Sequence, residues 1–312
     1  MIIVTGGLGF IGSNIVRKLN ELNEENIIIV DNLKKFKNKY RYPLKFKELI
    51  DKKVFIEKIK KNKIKNIKQI YHQGACSDTT NWDYDYLINN NFEYSKELLH
   101  YCSNNKIKFI YASSAAVYGL SKKISKENIN EKPINLYAFS KLIFDKYVNL
   151  HINKISNSVV GLRYFNVYGN NEFHKNHMSS VILKFDNQIK KNGKIKLFKG
   201  NDGYKDGEQK RDFIHVNDCV NVNLWFMKKN IKGIYNVGTS ISSSFNKVAN
   251  IVIKYHKKGK INYINFPSKL KNSYQSFTKA DLKNLRDVGY KNNFISLREG
   301  IFNYLDYLNN DQ

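Results

Sequence analysis

Compact apolar runs and helically spaced apolar residues alternate along the start of the chain. Ile2-Ile3-Val4 is one run, and Ile27-Ile28-Ile29-Val30 is a second that ends at Asp31. Between them, apolar side chains recur every three or four residues, at Ile11, Ile15, Leu19 and Leu22. Such runs fit buried strands, and the spacing fits one face of a helix. The pattern predicts a strand, a helix and a second strand.

The alternation continues through the rest of the chain. Further strands are predicted at Ile70–Cys76, Phe109–Gly119, Val159–Phe165 and Gly233–Gly238. One helix is predicted with Trp82, Tyr86, Asn90, Tyr94, Leu98 and Tyr101 along one side, and another from Tyr137 to about His151. A helical apolar stripe, expected to lie in a core, comprises Leu297, Ile301, Tyr304, Leu305 and Leu308. Residues 40–68 are rich in lysine and predict no clear element. Strands that alternate with helices are typical of a parallel sheet.

Three glycines follow the first predicted strand, at Gly6, Gly9 and Gly12. Glycines at this spacing permit a tight turn, close approach of the backbone to a pyrophosphate, and close packing of helix on strand. Asp31 ends the second strand, where an acidic residue is expected to bind the adenosine ribose. This combination favours a dinucleotide site over a purely structural turn. It predicts an α/β protein with a Rossmann-type doubly wound parallel sheet and a smaller α/β substrate-binding domain.

Four lysines follow Asp31 and Asn32 closely, at positions 34, 35, 37 and 39. They fit a solvated loop, and they equally fit a site that neutralises the 2′-phosphate of NADP. The sequence leaves both interpretations open.

Tyr137 and Lys141 lie four residues apart in a predicted helix, which places both on one face. A cation near a phenol typically lowers its pKa, so such a pair can take a proton from a carbinol while a nicotinamide takes hydride. The pair alone is weak support, because the chain has 21 tyrosines and 53 basic residues. Ser114, at the end of a predicted strand, fits a hydrogen bond to a substrate hydroxyl near Tyr137 or a simple turn cap.

The composition excludes several classes. The net charge is +26, but only six basic residues are arginine, the preferred reader of bases and phosphates, so nucleic-acid binding is not expected. No apolar run reaches the length of a membrane span, and no signal peptide is predicted, so a cytoplasmic protein is expected. Three scattered cysteines indicate reduced thiols, and the seven histidines suggest no metal site.

Several stretches together resemble the extended short-chain dehydrogenase/reductases that act on nucleotide sugars. They are Gly6–Gly12, Ser114–Gly119, Tyr137–Lys141, Leu162–Gly169 and Arg211–Asp218. A second set is similar to the ADP-L-glycero-D-manno-heptose 6-epimerases of that family: Gly74–Ser77, Tyr94–Cys102, His174-Lys175, Val222–Phe226, Tyr255–Gly259 and Tyr274–Phe277. The resemblance is weakest across residues 35–68.

This resemblance implies inversion of C6 in ADP-D-glycero-β-D-manno-heptose through a 6-keto intermediate, supplying heptose for the lipopolysaccharide core. It implies tightly bound NADP, with NAD possible as the cofactor, and a homo-oligomer, a pentamer in the family. Two domains are expected, one from residues 1–168 plus 213–240 for the dinucleotide and one from residues 169–212 plus 241–312 for the substrate.

The resemblance also assigns roles to individual residues. It implies that the catalytic residues are Tyr137, Lys141, Ser114 and, as a second acid/base, Lys175. Cofactor binding falls to Gly6, Gly9, Phe10, Ile11, Gly12, Asp31, Asn32, Lys39, Lys52, Gln73, Gly74, Ala75, Cys76, Ser77, Asn90, Tyr137, Lys141, Val167 and Lys175. Substrate binding falls to Ser114, Asn166, His177, Lys184, Phe198, Lys199, Gly200, Asn201, Arg211 and Tyr274.

Some positions depart from the family pattern. Gln73 replaces the usual glutamate, and the contacts to the sugar are in question at His177, Lys184 and residues 199–201. Another nucleotide-sugar epimerase, such as a 4-epimerase, is the main alternative function. A 4,6-dehydratase is disfavoured because Ala115 and Ala116 stand where elimination needs an acid/base pair. A dinucleotide-sensing protein without catalysis would need none of Tyr137, Lys141 and Ser114.

Overall fold

The computed structural model describes residues 1–33, 43–268 and 274–309, and Lys39 with most of the lysine-rich loop lies outside these ranges. The strands of the described residues are β1 Ile2–Thr5, β2 Ile27–Asp31, β3 Glu48–Asp51, β4 Gln69–His72, β5 Lys108–Ser114, β6 Val159–Tyr164, β7 Asn166–Tyr168, β8 Lys194–Phe198, β9 Lys210–His215, β10 Gly233–Val237, β11 Ser242–Ser244 and β12 Lys260–Ile264. The α-helices are α1 Phe10–Glu21, α2 Lys52–Lys60, α3 Tyr84–Leu87, α4 Tyr94–Asn104, α5 Leu136–His151, α6 Val181–Asn192, α7 Val216–Met227, α8 Phe245–His256, α9 Lys283–Asp287 and α10 Leu297–Asn309.

In the described part of the chain, the large sheet has seven parallel strands in the order β10-β6-β5-β4-β1-β2-β3. The order reverses between β1 and β4, because the chain first builds outward to β3 and then returns. In such a sheet, ligands bind at the carboxyl ends of the strands where the order reverses. The predicted doubly wound α/β fold is confirmed.

Two apolar cores cover the two faces of this sheet. A third core lies among α6, α8, α10 and β8, and it buries Ile301, Tyr304 and Leu305 of the predicted C-terminal stripe. The return strand predicted at Gly233–Gly238 pairs in parallel with β6 at the edge of the large sheet. Leu285 and Tyr290 also pack into the core of the large sheet, although the sequence grouped them with the substrate domain.

Local capping explains where several helices begin. The Asn135 side chain accepts a hydrogen bond from the Ala138 N–H at 2.8 Å and starts α5. Asp51 does the same for α2 through the Lys53 N–H at 2.9 Å. An aspartate or asparagine at this position satisfies an N–H group that has no partner within the helix. Helix α2 and strand β3 occupy the stretch for which the sequence predicted no element.

The predicted helix from Trp82 to Tyr101 begins later than its spacing suggested. Asp83 caps α3, and Trp82 stands outside it with 68% of its surface exposed. A π-helical turn, Ile88–Glu93, joins α3 to α4. Such turns are frequent at functional sites.

Candidate active site

The glycine turn packs directly against the loop that follows β4. Gly6 has φ +64°, and a Cβ added there would lie 2.6 Å from the Gly74 backbone. A Cβ at Gly12 would lie only 2.1 Å from the Gly6 carbonyl oxygen. Backbone segments this close leave no room for a side chain, so glycine is required at both positions.

The N-terminus of α1 opens from this turn without a side-chain cap, since Gly9 occupies the capping position. An uncapped helix N-terminus presents backbone N–H groups to an anion. Asp31 borders the turn, and its carboxylate accepts hydrogen bonds from the Leu8 N–H at 3.0 Å and the Asn32 N–H at 2.8 Å. Burial raises the pKa of Asp31, and these two hydrogen bonds oppose that rise.

A chain of buried polar side chains runs beneath the turn. His72 contacts Thr5 Oγ1 through Nδ1 at 2.6 Å and Ser95 Oγ through Nε2 at 2.8 Å. Burial lowers the pKa of His72 to about 3, so its ring is neutral at physiological pH. Thr5 Oγ1 also accepts from the Gly74 N–H at 3.2 Å. The chain therefore ties the ends of β1 and β4 to α4.

Asn91 extends this chain toward α5. Its side chain accepts from the Cys76 N–H at 2.8 Å and donates to the Cys76 carbonyl at 3.0 Å and to Ser140 Oγ at 3.0 Å. Ser140 Oγ in turn donates to the Tyr137 carbonyl at 2.7 Å. The π-helical turn that carries Asn91 thus fixes the loop after β4 against the start of α5.

Lys52 and Asn90, both assigned to the cofactor by resemblance, contact each other although they are far apart in sequence. The Lys52 ammonium donates to the Asn90 side-chain oxygen. The Asn90 amide then donates to Asn91 Oδ1 at 2.9 Å. This contact holds the lysine at the start of α2 against the π-helical turn that carries Asn91.

Tyr137 and Ser114 face each other between α5 and the end of β5. Their side chains share a hydrogen bond, and Ser114 Oγ also accepts from the Ala116 N–H at 3.1 Å. Ser114 therefore both caps a turn and contacts the tyrosine. Burial raises the pKa of Tyr137, and the bond to Ser114 opposes the rise. The lowered pKa expected from the sequence is wrong for this structure, because burial outweighs the stabilising contacts.

Lys141 lies one helical turn beyond Tyr137, and its ammonium donates to the Ala112 carbonyl of β5 at 2.8 Å. Burial lowers the pKa of Lys141 to about 8, while Asp145 and Cys76 oppose this shift. The ammonium form consequently still predominates at neutral pH. Lys141 therefore keeps a positive charge and fastens α5 to β5.

Lys175 lies in a 3₁₀ turn, Phe173–Met178, that faces the start of α1. Its ammonium is 5.2 Å from the centre of the Phe10 ring, a cation–π contact next to the glycine turn. Burial lowers the pKa of Lys175, Glu172 raises it, and Lys184 lowers it. This environment suits a lysine that exchanges a proton.

Arg211 stands among aromatic rings in the smaller domain. Its guanidinium carbon is 5.0 Å from the Tyr274 ring centre and 5.7 Å from that of Phe245. Phe198 and Phe266 pack edge-to-face nearby, with ring centres 5.2 Å apart. The guanidinium is largely buried and presents a cation among flat apolar rings, which suits a nucleotide, whose phosphates can pair with the cation while its base packs on the rings.

Asn166 and the loops opposite it are held by a buried carboxylate. Asp212 accepts from Thr239 Oγ1 at 2.7 Å, the Ser240 N–H at 2.9 Å and the Ala280 N–H at 3.0 Å. Thr278 Oγ1 donates to Asn166 Oδ1 at 3.1 Å. These bonds position Asn166 where β7 begins, beside the end of the large sheet.

Positions where the family pattern breaks are mostly exposed. His177 has its side chain 65% exposed and lies 3.6 Å from Asp78, across the loop after β4. Lys184 donates to the His177 carbonyl at 2.7 Å. Gly200 and Asn201 line an open surface depression, and the Lys199 N–H pairs with the Ile264 carbonyl at 2.8 Å.

Gln73 turns away from the glycine loop into a separate polar cluster. Its side chain accepts from the Tyr164 hydroxyl at 3.1 Å and donates to Asn223 at 3.3 Å. Ala75, Cys76 and Val167 are half-buried, and Ser77 is exposed.

Among the described residues, no group of three or more histidine, cysteine, aspartate or glutamate side chains is placed to hold a metal ion. Over the same ranges, the helices are too short or too polar to span a bilayer.

Comparison with known proteins identifies the family. The NAD dependent epimerase/dehydratase family model matches residues 2–238. This chain belongs to that family. The broad class predicted from the sequence motifs is thereby confirmed.

Solved structures that resemble this epimerase/dehydratase family member include an ADP-L-glycero-D-manno-heptose-6-epimerase from Helicobacter pylori. It is 32% identical, with 98% of this chain and 95% of that chain covered and a TM-score of 0.83. A UDP-N-acetylglucosamine 4-epimerase from Methanobrevibacter ruminantium M1 is 26% identical, with 100% and 98% covered and a TM-score of 0.86. The UDP-glucose 4-epimerase of Thermus thermophilus, solved with NAD, is 23% identical, with 100% and 99% covered and a TM-score of 0.79, and it supports the fold alone.

The glycine turn fits the dinucleotide that gives the family its name. Three features together form a cradle for a pyrophosphate and its adjoining ribose. They are the uncapped start of α1, the close backbone contact between Gly6 and Gly12, and the carboxylate of Asp31. These features were predicted from the sequence. Sequence reasoning missed His72, Asn91, Asp145, Glu172 and Phe266; of these, only Asp145 carried a visible signal, four residues after Lys141.

Proposed function

We propose that this chain is an ADP-glycero-manno-heptose 6-epimerase that inverts C6 of ADP-D-glycero-β-D-manno-heptose and supplies heptose for the lipopolysaccharide core. C6 lies outside the sugar ring and carries an ordinary secondary alcohol, so direct loss of its proton is too slow. Temporary oxidation to a ketone makes inversion accessible. When bound, the nicotinamide cofactor accepts hydride from C6 and returns it to the opposite face of the carbonyl.

The observation that carries this proposal is that two proton-exchanging groups from separate elements are both tied to the region of the glycine turn: Asn91 links the loop after β4, which packs on that turn, to the start of α5, and Lys175 packs on Phe10. Tyr137 lies near Cys76 of the loop after β4, and Lys175 lies against Phe10 at the glycine turn. A reaction that works on both faces of a carbonyl needs an acid/base on each. The 32% identity to the heptose epimerase of Helicobacter pylori, over nearly all of both chains, supports the same substrate class.

In the proposed reaction, Tyr137 accepts the proton of the C6 hydroxyl as the alcohol becomes a ketone. Ser114 donates a hydrogen bond to the sugar oxygen, and Lys141 supports Tyr137 by fastening α5 to β5. Lys175 donates a proton to the oxygen as the ketone is reduced from its other face, and exchange with solvent then returns a proton to Lys175 and removes one from Tyr137. Arg211 binds the diphosphate, while Phe198 and Tyr274 flank the base and Asn166 contacts the sugar.

The deciding experiment incubates the purified protein with ADP-D-glycero-β-D-manno-heptose and follows C6 by NMR. Equilibration of the two C6 epimers, with no net change in the cofactor, is expected. The second candidate is a UDP-sugar 4-epimerase, favoured by the TM-score of 0.86 to the enzyme of Methanobrevibacter ruminantium M1. Inversion of UDP-galactose or UDP-N-acetylglucosamine, with the heptose unchanged, would establish that alternative and reject the 6-epimerase.

We further propose NADP as the resident cofactor, with Asn32 and Lys52 near its 2′-phosphate, and a homo-oligomeric assembly. Release of the bound nucleotide by denaturation and its identification by mass spectrometry tests the first point. Light scattering of the purified protein tests the second.

A further inference from the structure

Glu172 is a fully buried carboxylate at the junction between β7 and the turn that carries Lys175. It is 0% exposed. Its oxygens accept hydrogen bonds from the Ser180 N–H at 2.5 Å, the Ser180 hydroxyl at 2.6 Å and the Gly169 N–H at 3.5 Å. A buried carboxylate is costly unless it is paired and hydrogen-bonded, so this placement calls for a role.

These bonds close the loop from residue 169 to residue 180 on itself. Ser180 is also the N-cap of α6, where its oxygen accepts from the Leu183 N–H at 3.3 Å. Inside the closed loop, the Lys175 N–H donates to the Glu172 carbonyl at 3.0 Å. The backbone of Lys175 is thus fixed relative to both β7 and α6.

Two charged groups act on the Lys175 ammonium, one from the loop after β7 and one from α6. Burial lowers the pKa of Lys175, Glu172 raises it, and Lys184 of α6 lowers it. On the same turn, His174 has its own pKa lowered by burial and by Lys175. Glu172 is therefore the anion that counteracts burial and the neighbouring cations.

The aromatic surroundings reinforce this arrangement. Phe10 of α1 faces the ammonium at 5.2 Å, and Tyr304 of α10 lies next to the carboxylate. Burial, and after it Glu172, raise the pKa of the Tyr304 phenol, so that phenol stays neutral.

We propose that Glu172 is a positioning residue for Lys175: its carboxylate closes the turn and supplies the negative charge that lets the buried ammonium persist until it donates its proton. This inference rests on the acid/base role proposed above for Lys175. Removing the charge should leave the lysine neutral over more of the pH range, and removing only the hydrogen bonds should not.

The test compares Glu172→Gln, which keeps the size and an acceptor oxygen, with Ser180→Ala, which keeps the charge and removes one hydrogen bond. Competitive acetylation by acetic anhydride at a series of pH values, read by mass spectrometry, gives the titration midpoint of Lys175 without any substrate. The midpoint is expected to fall by about one pH unit in Glu172→Gln and to stay unchanged in Ser180→Ala. Equal midpoints in Glu172→Gln and the unmodified protein would overturn the proposal.

Kinetics separates this inference from the proposed reaction. In Glu172→Gln, the basic limb of the kcat–pH profile, where Lys175 loses its proton, is expected to move by the same amount as the Lys175 midpoint. If Lys175→Met retains full turnover, the acid/base role fails even where the midpoint shift is observed. If Glu172→Gln does not fold, Glu172→Asp decides: a retained midpoint and profile support the requirement for charge, and a midpoint lowered by about one unit contradicts it.

Discussion

The Asp145 carboxylate and the Arg163 guanidinium form an ion pair, Oδ2 to Nε 2.7 Å, in which both side chains are completely buried. Asp145 lies one helical turn after Lys141 on α5. It also accepts from Tyr111 OH at 2.9 Å and Ser113 Oγ at 2.8 Å, so it fastens the catalytic helix to the strand that ends at Ser114. This pair therefore links the stability of the fold to the geometry of the site.

Replacing Arg163 by Met should be strongly destabilising, because Asp145 would then keep a buried charge without its closest cation. The expected loss in the free energy of unfolding is about 3–5 kcal/mol, measured by urea denaturation. Lys18→Met breaks an exposed pair with Glu21 and serves as the control, with an expected loss below about 1 kcal/mol. Similar losses in the two variants would show that the buried Asp145–Arg163 pair contributes no more to the free energy of unfolding than an exposed pair.

Replacing Tyr137 by Phe should remove the proton acceptor while leaving the helix and the dinucleotide cradle in place. Loss of a general acid/base typically costs about 10²–10⁴-fold in rate, and turnover of the heptose substrate is the measurement. Tyr255→Phe, which loses an exposed hydrogen bond to Asp306, is the matched control and should keep full activity. Retention of full activity in Tyr137→Phe would contradict the role given to this residue, provided that the control behaves as expected.

The comparison of sequence and structure shows which features are local. The glycine turn, Asp31 and the Tyr137–Lys141 pair were predicted because each depends on short spacings that follow a strand or a helix face. The buried chain from Thr5 through His72 to Ser95 was not predicted, because its partners come together only when three elements pack. A long-range contact of this kind leaves no periodic pattern in the sequence.

Burial also reversed one prediction of chemistry. The sequence placed a cation near the Tyr137 phenol and therefore predicted a lowered pKa. In the structure, burial raises that pKa, and the Lys141 ammonium donates to the Ala112 carbonyl. Desolvation depends on the whole fold, whereas the four-residue spacing depends only on the helix.

Replacing Gly12 by Ala should abolish dinucleotide binding. The new Cβ would lie 2.1 Å from the Gly6 carbonyl, and a backbone atom cannot move aside as a flexible side chain can. Gly203→Ala is the control: Gly203 has φ +84° and open space around it, so the cost is backbone strain of about 1–2 kcal/mol and binding should be unchanged. Fluorescence titration with NADH and NADPH measures both, and normal affinity in Gly12→Ala would contradict the close contact described here.

Replacing Asp31 by Asn should shift cofactor preference toward NADP. The amide oxygen can still accept from the Leu8 N–H, but the negative charge that repels a 2′-phosphate is gone. Two like charges about 4 Å apart near a surface interact by roughly 4 kcal/mol before screening by salt, so the ratio of NADPH to NADH affinity should rise at least about tenfold. An unchanged ratio would place the 2′ position of the ribose away from Asp31.

The stability of the protein should fall as the pH rises through the range in which Asp218 ionises. This side chain is 2% exposed and accepts a hydrogen bond from the Ile295 N–H at 3.0 Å. Burial raises the pKa of Asp218 to about 6, and Glu299 adds to the rise. Because the folded state then binds the proton more tightly than the unfolded chain, whose aspartates titrate near pH 4, this contribution is present below about pH 4 and is lost above about pH 6. Asp218→Asn keeps an acceptor for the Ile295 N–H and removes the charge, so it should raise the free energy of unfolding by up to about 3 kcal/mol at about pH 8 and by about half as much at about pH 5. Urea denaturation at both pH values measures the difference, and an equal gain at both would attribute the effect to packing instead of ionisation.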